Sequence, residues 1–222
     1  MDQYGTGGLY ELKREPNDLS HIRGTLAQQK LIQRVEILKT SLRERPPPEE
    51  PPFINASEDE LSRYRVLIKT ELGEIEIAFN ERDATEHVRQ FLTFAQLGLY
   101  DGTPFHRVVP GFVIQGGSIS MREEPPAAKY VHLIKNLVPE FSAKRKHLRG
   151  AVSMARGPEL NSAVDSFFIV LEDQPRLDGQ YTVFGRVVQG MDVVDMIALQ
   201  PLAGERLVKP LKMKLEVVKV KE

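Results

Sequence analysis

The sequence of 222 residues contains no cysteine, which excludes disulfide bonds, thiolate catalysis and cysteine-ligated metals. It also lacks an excess of basic residues, since its formal net charge is −1. Domains that bind nucleic acid usually carry a basic surface, so we expect no nucleic-acid partner. No run approaches the roughly 18 apolar residues of a membrane-spanning helix, and no membrane span is expected. Hydrophobic residues still make up 41% of the chain, enough to form a core.

The first 14 residues lack the apolar segment that a secretory signal requires. They contain four charged residues, Asp2, Glu11, Lys13 and Arg14. The sequence as it stands predicts a cytoplasmic protein, and a periplasmic or secreted protein is the alternative if an export signal has been removed. The five histidines show no metal-ligand spacing, so we expect neither a metal nor a cofactor.

The chain divides into three regions: a helical extension over residues 1–45, a proline-rich acidic linker over 46–62 and a domain over 63–222. A helix is predicted over residues 20–44 because apolar side chains recur there at steps of three and four. The residues of this stripe are Leu31, Val35, Leu38 and Leu42. The helix either packs onto the domain or pairs with another chain, so it is a candidate surface for self-association or for a protein partner.

The domain contains many short strand-like runs and two helical segments. Polar and apolar residues alternate over 74–77, which with 66–68 predicts a β-hairpin. A helix then follows, for which Asp83 and Glu86 are expected to form a capping box, and a second helix is predicted over 191–199. Further strands are predicted at 105–109, 112–115, 151–154, 167–171, 182–187 and 215–220. Many short strands with two helices are typical of a closed barrel.

Residues 105–117 carry the strongest functional signal. They read Phe-His-Arg-Val-Val-Pro-Gly-Phe-Val-Ile-Gln-Gly-Gly, which resembles the active-site signature of the cyclophilin-type peptidyl-prolyl cis-trans isomerases. Further segments agree with that family in order and spacing, at 100–103, 150–155, 167–169 and 177–185. The resemblance covers about residues 64–221, and it is to a bacterial-like member with an N-terminal extension.

This resemblance implies a mainly β fold: an eight-stranded antiparallel cyclophilin-like β-barrel capped by two α-helices, here preceded by a helical extension. It also implies a peptidyl-prolyl cis-trans isomerase that accelerates rotation about X-Pro bonds in protein folding. The partners would then be proline-containing polypeptide clients. A cyclophilin-like module or scaffold that binds proline segments with weak or no turnover is the alternative.

The chemistry of the implied reaction calls for a hydrogen-bond donor and an apolar slot. An X-Pro amide resists rotation because of its C–N resonance, and the prolyl nitrogen regains its lone pair as the amide twists. By resemblance, Arg107 donates to that nitrogen and Gln115 holds the substrate backbone, so these two are the candidate catalytic residues. The candidate substrate-binding residues are Phe112, Val113, Ala155, Arg156, Ser166, Phe168, Leu177 and Tyr181.

The chain departs from the family pattern at several positions. The usual glycine- and threonine-rich loop is missing from residues 118–131, which alters one wall of the groove. Ser166 stands where the family has glutamine, and we expect this to weaken the support of Arg107. Arg176 stands where many members carry tryptophan, which argues against tight binding of cyclosporin-type inhibitors.

Other interpretations of single residues stay open at this stage. Phe112 and Phe168 would be barrel core if the signature were absent. His106 is expected to be structural, with a part in the chemistry as the alternative. The basic run over residues 144–147 is expected to be a solvated loop, with an anion site as the alternative.

Overall fold

The structure is a computed structural model that describes Gln33 and residues 50–220. Gln33 is helical, and the rest of the predicted helix over 20–44 lies outside the described residues. The division into extension, linker and domain therefore stays a prediction. The described end of the linker lies against the domain, because the Arg89 guanidinium donates two hydrogen bonds to the carbonyl oxygen of Ala56, at 3.1 and 2.7 Å.

Polar and apolar residues alternate over 74–77 in the predicted hairpin, and eleven strands form in the described part of the chain. They are β1 (Tyr64–Thr70), β2 (Gly73–Phe79), β3 (Pro104–Val109), β4 (Val113–Gly116), β5 (Ala151–Met154), β6 (Phe167–Val170), β7 (Val183–Gln189), β8 (Leu202–Ala203), β9 (Arg206–Leu207), β10 (Leu211–Lys212) and β11 (Lys214–Lys219). The strands β8 and β9 form a separate hairpin, and the others form one antiparallel sheet in the order β10-β3-β4-β6-β5-β7-β2-β1-β11. The two edge strands are consecutive in the chain, separated only by Met213, so the sheet is a nearly closed barrel.

The mainly β barrel is confirmed, but the expected count of eight strands is wrong. Nine strands form the sheet, and the predicted hairpin is its pair of β1 and β2. The strand β10 has only two residues, which pair with Pro104 and Phe105 of β3. Two residues are too few to show an alternating pattern, so this strand leaves no signal in the sequence.

Residues 50–220 form three α-helices: α1 (Glu58–Leu61), α2 (Thr85–Gln96) and α3 (Met191–Ala198). The two longer helices confirm the predicted pair. Gly190 precedes α3 with a φ of 89°, and a Cβ there would lie 2.2 Å from the carbonyl oxygen of Glu74. Only glycine fits this close approach without a shift of the backbone.

The predicted capping box at the start of α2 is wrong. The N-cap residue of α2 is Ala84, whose side chain makes no capping hydrogen bond. The Glu140 carboxylate accepts hydrogen bonds from the backbone N–H groups of Glu86 and His87, at 3.1 and 3.0 Å. Asp83 instead accepts from the Arg145 guanidinium at 2.6 Å. A carboxylate from elsewhere in the chain thus satisfies the free N–H groups of the first turn.

The core fills the barrel interior, and aromatic rings cluster around Phe91 of α2. Its ring centroid lies 5.0 to 5.9 Å from the centroids of four other rings, those of Phe79, Tyr100, Phe167 and Phe184. A second, smaller apolar cluster lies on the outer face of the sheet; we call it the outer cluster. Its buried members are Val113, Ala151, Phe168, Val170 and Val183.

Replacing Phe91 by alanine removes the centre of this packing. We expect the Phe91→Ala variant to lose about 3–5 kcal/mol in free energy of unfolding, because the cavity cannot fully collapse. Phe141 is a matched control, since it is 39% exposed, and Phe141→Ala should change the same quantity by less than about 1 kcal/mol. Urea unfolding of the three proteins measures both values. Equal losses for the two variants would contradict this account of the core.

Candidate active site

A pocket of about 220 Å³ opens on the outer face of the barrel. It brings together nine of the ten residues that the sequence predicts for the site. The lining residues are Arg107, Phe112, Val113, Gln115, Ala155, Arg156, Phe168, Leu177 and Tyr181. We call this space the slot.

Strand register explains why these distant residues meet. Arg107 of β3 pairs with Gln115 of β4, and Gln115 pairs with Phe168 of β6. Directly paired residues of neighbouring strands project from the same face of a sheet. The three side chains therefore form one row across the outer face, with a cation at one end and an aromatic ring at the other.

The floor of the slot is apolar. Val113 and Phe168 are buried in the outer cluster, and Phe112, Leu177 and Tyr181 pack against it while remaining partly exposed. The ring of Tyr181 meets that of Phe168 edge to face, with centroids 5.6 Å apart. A slot with apolar walls of this kind can hold a small apolar ring out of water.

The guanidinium of Arg107 is held by an ion pair that the sequence did not indicate. Its Nε lies 2.6 Å from Oε2 of Glu205, and its Nη2 lies 3.4 Å from Oε1 of the same carboxylate. Glu205 lies in the turn between β8 and β9, and its carbonyl oxygen accepts a hydrogen bond of 2.7 Å from the N–H of Val108. Among the described residues, none accepts a hydrogen bond from Nη1 of Arg107.

Ser166 is the one predicted site residue that does not line the slot. Its hydroxyl donates to the carbonyl oxygen of Gly116 at 3.1 Å and accepts from Nε2 of Gln115 at 3.4 Å. Ser166 thus contacts Gln115, and no hydrogen bond joins it to Arg107. Its contact with substrate stays a prediction.

Two further arginines lie at the rim of the slot. The guanidinium of Arg156 lies 4.9 Å from the ring centroid of Tyr181, and that of Arg176 lies 5.1 Å from the centroid of Phe112. Both distances are within the range of cation–π attraction. Arg176, which stands where many members of the family carry tryptophan, therefore packs on the ring of Phe112.

The slot is supported from below by a buried histidine. Nδ1 of His147 lies 3.0 Å from Oδ1 of Asp178, and Nε2 lies 3.1 Å from Oγ of Ser153. Its ring stacks on Phe168 with centroids 6.0 Å apart. The expectation that residues 144–147 form a solvated loop is therefore wrong for His147, although Lys144 and Lys146 are exposed.

His106 does not line the slot. It is partly buried, and its Nδ1 is buried without a hydrogen-bond partner. Burial lowers the pKa of His106 below its ordinary value of 6.5, so the ring is neutral at pH 7. A structural role for this residue stays a prediction.

Over the described part of the chain, no cluster of three or more histidine or acidic side chains is arranged to hold a metal ion. None of the helices there is both long and apolar enough to cross a membrane.

A nearly closed antiparallel barrel with an arginine beside an apolar slot on its outer face defines a cyclophilin-like protein. The model of the family described as "cyclophilin type peptidyl-prolyl cis-trans isomerase/CLD" matches residues 65–220. This match spans more than half of the chain. The chain belongs to the cyclophilin-type peptidyl-prolyl cis-trans isomerase family.

Relatives of known name agree with this assignment. Peptidyl-prolyl cis-trans isomerase A of Dickeya dadantii is 42% identical over 138 residues, which cover 60% of this chain and 70% of the relative. The isomerase ppi1 of Schizosaccharomyces pombe is 38% identical over 150 residues, which cover 66% of this chain and 94% of the relative. A Cryptosporidium parvum cyclophilin, whose crystal structure was determined in the presence of the dipeptide Ala-Pro, has the same fold. It superposes with a TM-score of 0.62 at 24% identity and covers 71% of this chain and 99% of that chain.

The pKa of His147 predicts a pH dependence of stability. Burial lowers this pKa below 6.5, and the Asp178 carboxylate only partly opposes the effect. His147 in the unfolded chain therefore binds a proton more readily than in the folded one. The contribution of His147 to the free energy of unfolding is complete above pH 6.5 and is lost as the pH falls toward the folded pKa. The free energy of unfolding should decrease over this window.

The His147→Gln variant should show a smaller decrease in the same window, because one of the titrating groups is gone; His106 still contributes. His132 is the matched control, since it is exposed, and His132→Gln should keep the wild-type slope. Urea unfolding at a series of pH values measures the slopes. An unchanged slope in His147→Gln would mean that His147 does not titrate differently on folding.

Proposed function

We propose that this chain catalyses rotation about X-Pro bonds of polypeptides, with Arg107 as hydrogen-bond donor to the prolyl nitrogen and Gln115 as a group that holds the substrate backbone. The observation that carries the proposal is the position of the Arg107 guanidinium beside the apolar slot floored by Val113 and Phe168. The family of the chain supports the reaction type. The Ala-Pro dipeptide named with the Cryptosporidium parvum structure supports the substrate class.

The barrier to rotation is about 18–20 kcal/mol and comes from resonance between the amide nitrogen and the carbonyl group. As the amide twists, the nitrogen becomes pyramidal and its lone pair becomes available to a donor. A donor that meets this lone pair stabilises the twisted state more than the planar one, which is the condition for catalysis. No bond is broken, so the reaction requires no nucleophile, general acid or general base.

Arginine suits this task because its guanidinium keeps its charge and its planar set of donors. It cannot transfer a proton to the nitrogen, so it can only donate a hydrogen bond. In the structure the Glu205 carboxylate occupies Nε and Nη2 of Arg107. This leaves the two N–H groups of Nη1 and the second N–H of Nη2 as donors for the substrate, while the proline ring lies in the slot and is kept from turning.

The Arg107→Ala variant should lose most of the activity. Removal of one well-placed donor typically lowers turnover by about 100-fold or more, and we expect a decrease in kcat/KM of this order. A protease-coupled assay on an Ala-Pro-Phe peptide, with buffer as the uncatalysed reference, measures it. The control is Arg82→Ala, whose side chain is 73% exposed and away from the slot, and which should keep wild-type turnover. Unchanged turnover in Arg107→Ala would show that the donor is wrongly assigned.

Glu205 acts through Arg107, so it is a positioning residue. In Glu205→Ala the guanidinium loses its anchor but keeps its charge, and we expect kcat to fall by about threefold to tenfold with little change in KM. Glu205→Gln keeps one acceptor oxygen and should recover part of kcat. The control is Glu71→Ala, since Glu71 pairs with Lys209 on the surface. Two results would contradict this role: a Glu205→Ala variant that changes only KM, or an equal decrease in kcat for Glu205→Ala and Glu71→Ala.

A second candidate function is binding of proline segments with little turnover. Two observations favour it: Ser166 replaces the family's glutamine, and two donor groups of Arg107 already bind Glu205. NMR exchange spectra of an Ala-Pro peptide separate the two candidates. Exchange cross-peaks at catalytic concentrations of the chain support the enzyme, whereas binding without acceleration over buffer supports the scaffold.

A further inference from the structure

A second cavity lies on the outer face of the barrel, between β2, β5, β7 and the loop over residues 144–149. Its volume is about 260 Å³. No acidic side chain lines it, and five cationic side chains do: Lys144, Arg145, Lys146, Arg149 and Arg186. We call this cavity the basic pocket.

Part of this positive charge has no carboxylate within ion-pair distance, although the Arg145 guanidinium and, more weakly, the Lys144 ammonium lower the pKa of Asp83. Three of the five cations form ion pairs: Arg145 with Asp83 at 2.6 Å, Lys146 with Asp178 at 3.3 Å and Arg149 with Asp195 at 2.6 Å. In the part of the chain that the structure describes, Lys144 and Arg186 have no ion pair. Both are exposed. Two of the five cations that line the pocket are thus without an ion pair among the described residues.

The pocket also contains a polar side chain that is largely buried. Asn80 is only 8% exposed, and it lines the cavity. Both backbone polar groups of Asn80 are hydrogen-bonded. Its N–H donates to the carbonyl oxygen of Phe184, and its own carbonyl oxygen accepts from the N–H groups of Asp83 and Ala84. Its carboxamide, in contrast, makes no hydrogen bond to any described residue. Among the described residues, the buried side-chain polar atom without a partner is Nδ1 of His106, so the Asn80 carboxamide reaches solvent. It is therefore free to donate a hydrogen bond to a ligand in the pocket.

We propose that the basic pocket binds a phosphate group. Lys144 and Arg186 would supply charge, and the Asn80 carboxamide would donate a hydrogen bond to a phosphate oxygen. Phosphate suits this set because it carries more than one negative charge and several acceptor oxygens. The volume is slightly below the range of about 300–1,000 Å³ that drug-sized ligands occupy, which favours a small anionic group.

The basic pocket adjoins the slot. Ala151 and Val183 line the basic pocket and belong to the outer cluster, which also contains the slot residues Val113 and Phe168. The loop that supplies Lys144 and Arg149 also carries His147, whose ring stacks on Phe168. Two sources of the phosphate group therefore need to be distinguished: free inorganic phosphate and a phosphorylated side chain of a polypeptide.

The test is an NMR titration of the full-length, 15N-labelled chain. One arm adds inorganic phosphate, the second adds N-acetyl-phosphoserine methylamide, and a third adds sodium chloride to the same ionic strength. We expect saturable shifts of the amide signals of residues 144–149 and of Arg186 in the phosphate arms. Saturation with both ligands, or with either one alone, supports the proposal and identifies the source. Shifts that do not saturate, or that sodium chloride reproduces, overturn it.

Variants make the test specific to this pocket. Arg186→Gln should weaken phosphate binding by about threefold or more, and Asn80→Asp by about tenfold, since a carboxylate repels the ligand. Because Asn80→Asp alters a buried residue, Arg186→Gln, at an exposed position, is the variant on which the test depends. Lys219→Gln is the matched control: Lys219 is exposed and has no ion pair among the described residues. Equal affinities of the wild type and Arg186→Gln would overturn the proposal. The 15N–1H spectrum of each variant without ligand verifies that the barrel is intact, whether or not the chain turns over X-Pro peptides.

Discussion

The strand β6 is apolar on both faces, and its neighbour β4 is apolar apart from Gln115 on its outer face. The two faces serve different purposes. Ile114, Phe167 and Ile169 point into the barrel and form part of its core. Val113 and Phe168, one position away, point outward and floor the slot. Because side chains alternate strictly along a strand, a shift of register by one residue would exchange these sets and destroy core and slot together. The packing that makes the fold stable therefore also fixes the position of the binding surface.

On this surface, one ion pair orients the guanidinium of Arg107. The guanidinium of Arg107 is only 35% exposed at its side chain, and Glu205 holds it by two contacts. The carboxylate orients the guanidinium without removing its charge, because an arginine remains protonated at any physiological pH. The turn of the hairpin formed by β8 and β9 thus places Glu205 beside Arg107. His147 and Asp178 support the opposite side of the slot through Phe168, so both ends of the row Arg107–Gln115–Phe168 are supported by neighbouring groups.

Much of this arrangement could be predicted from the sequence. The period-two alternation predicted the hairpin of β1 and β2, and the signature over residues 105–117 located the slot, nine of whose residues were named in advance. Four features escaped prediction for physical reasons. Glu205 is separated from Arg107 by 98 positions and Glu140 from Glu86 by 54, and a single glutamate in a polar segment shows no local pattern that would identify its partner. The two-residue strand β10 forms only because the closing barrel offers it the edge of β3. The burial of His147 in a basic run likewise depends on a remote residue, Asp178.

The central claim is that Arg107 donates to a prolyl nitrogen while the ring occupies the slot. A crystal structure of the chain with a bound Ala-Pro-containing peptide tests this most directly. The account predicts the proline ring against Val113 and Phe168, with a guanidinium nitrogen of Arg107 at a hydrogen-bonding distance of about 3 Å from the prolyl nitrogen. A peptide bound outside the slot, or a guanidinium that stays turned away from the prolyl nitrogen of a peptide bound inside it, would contradict the account.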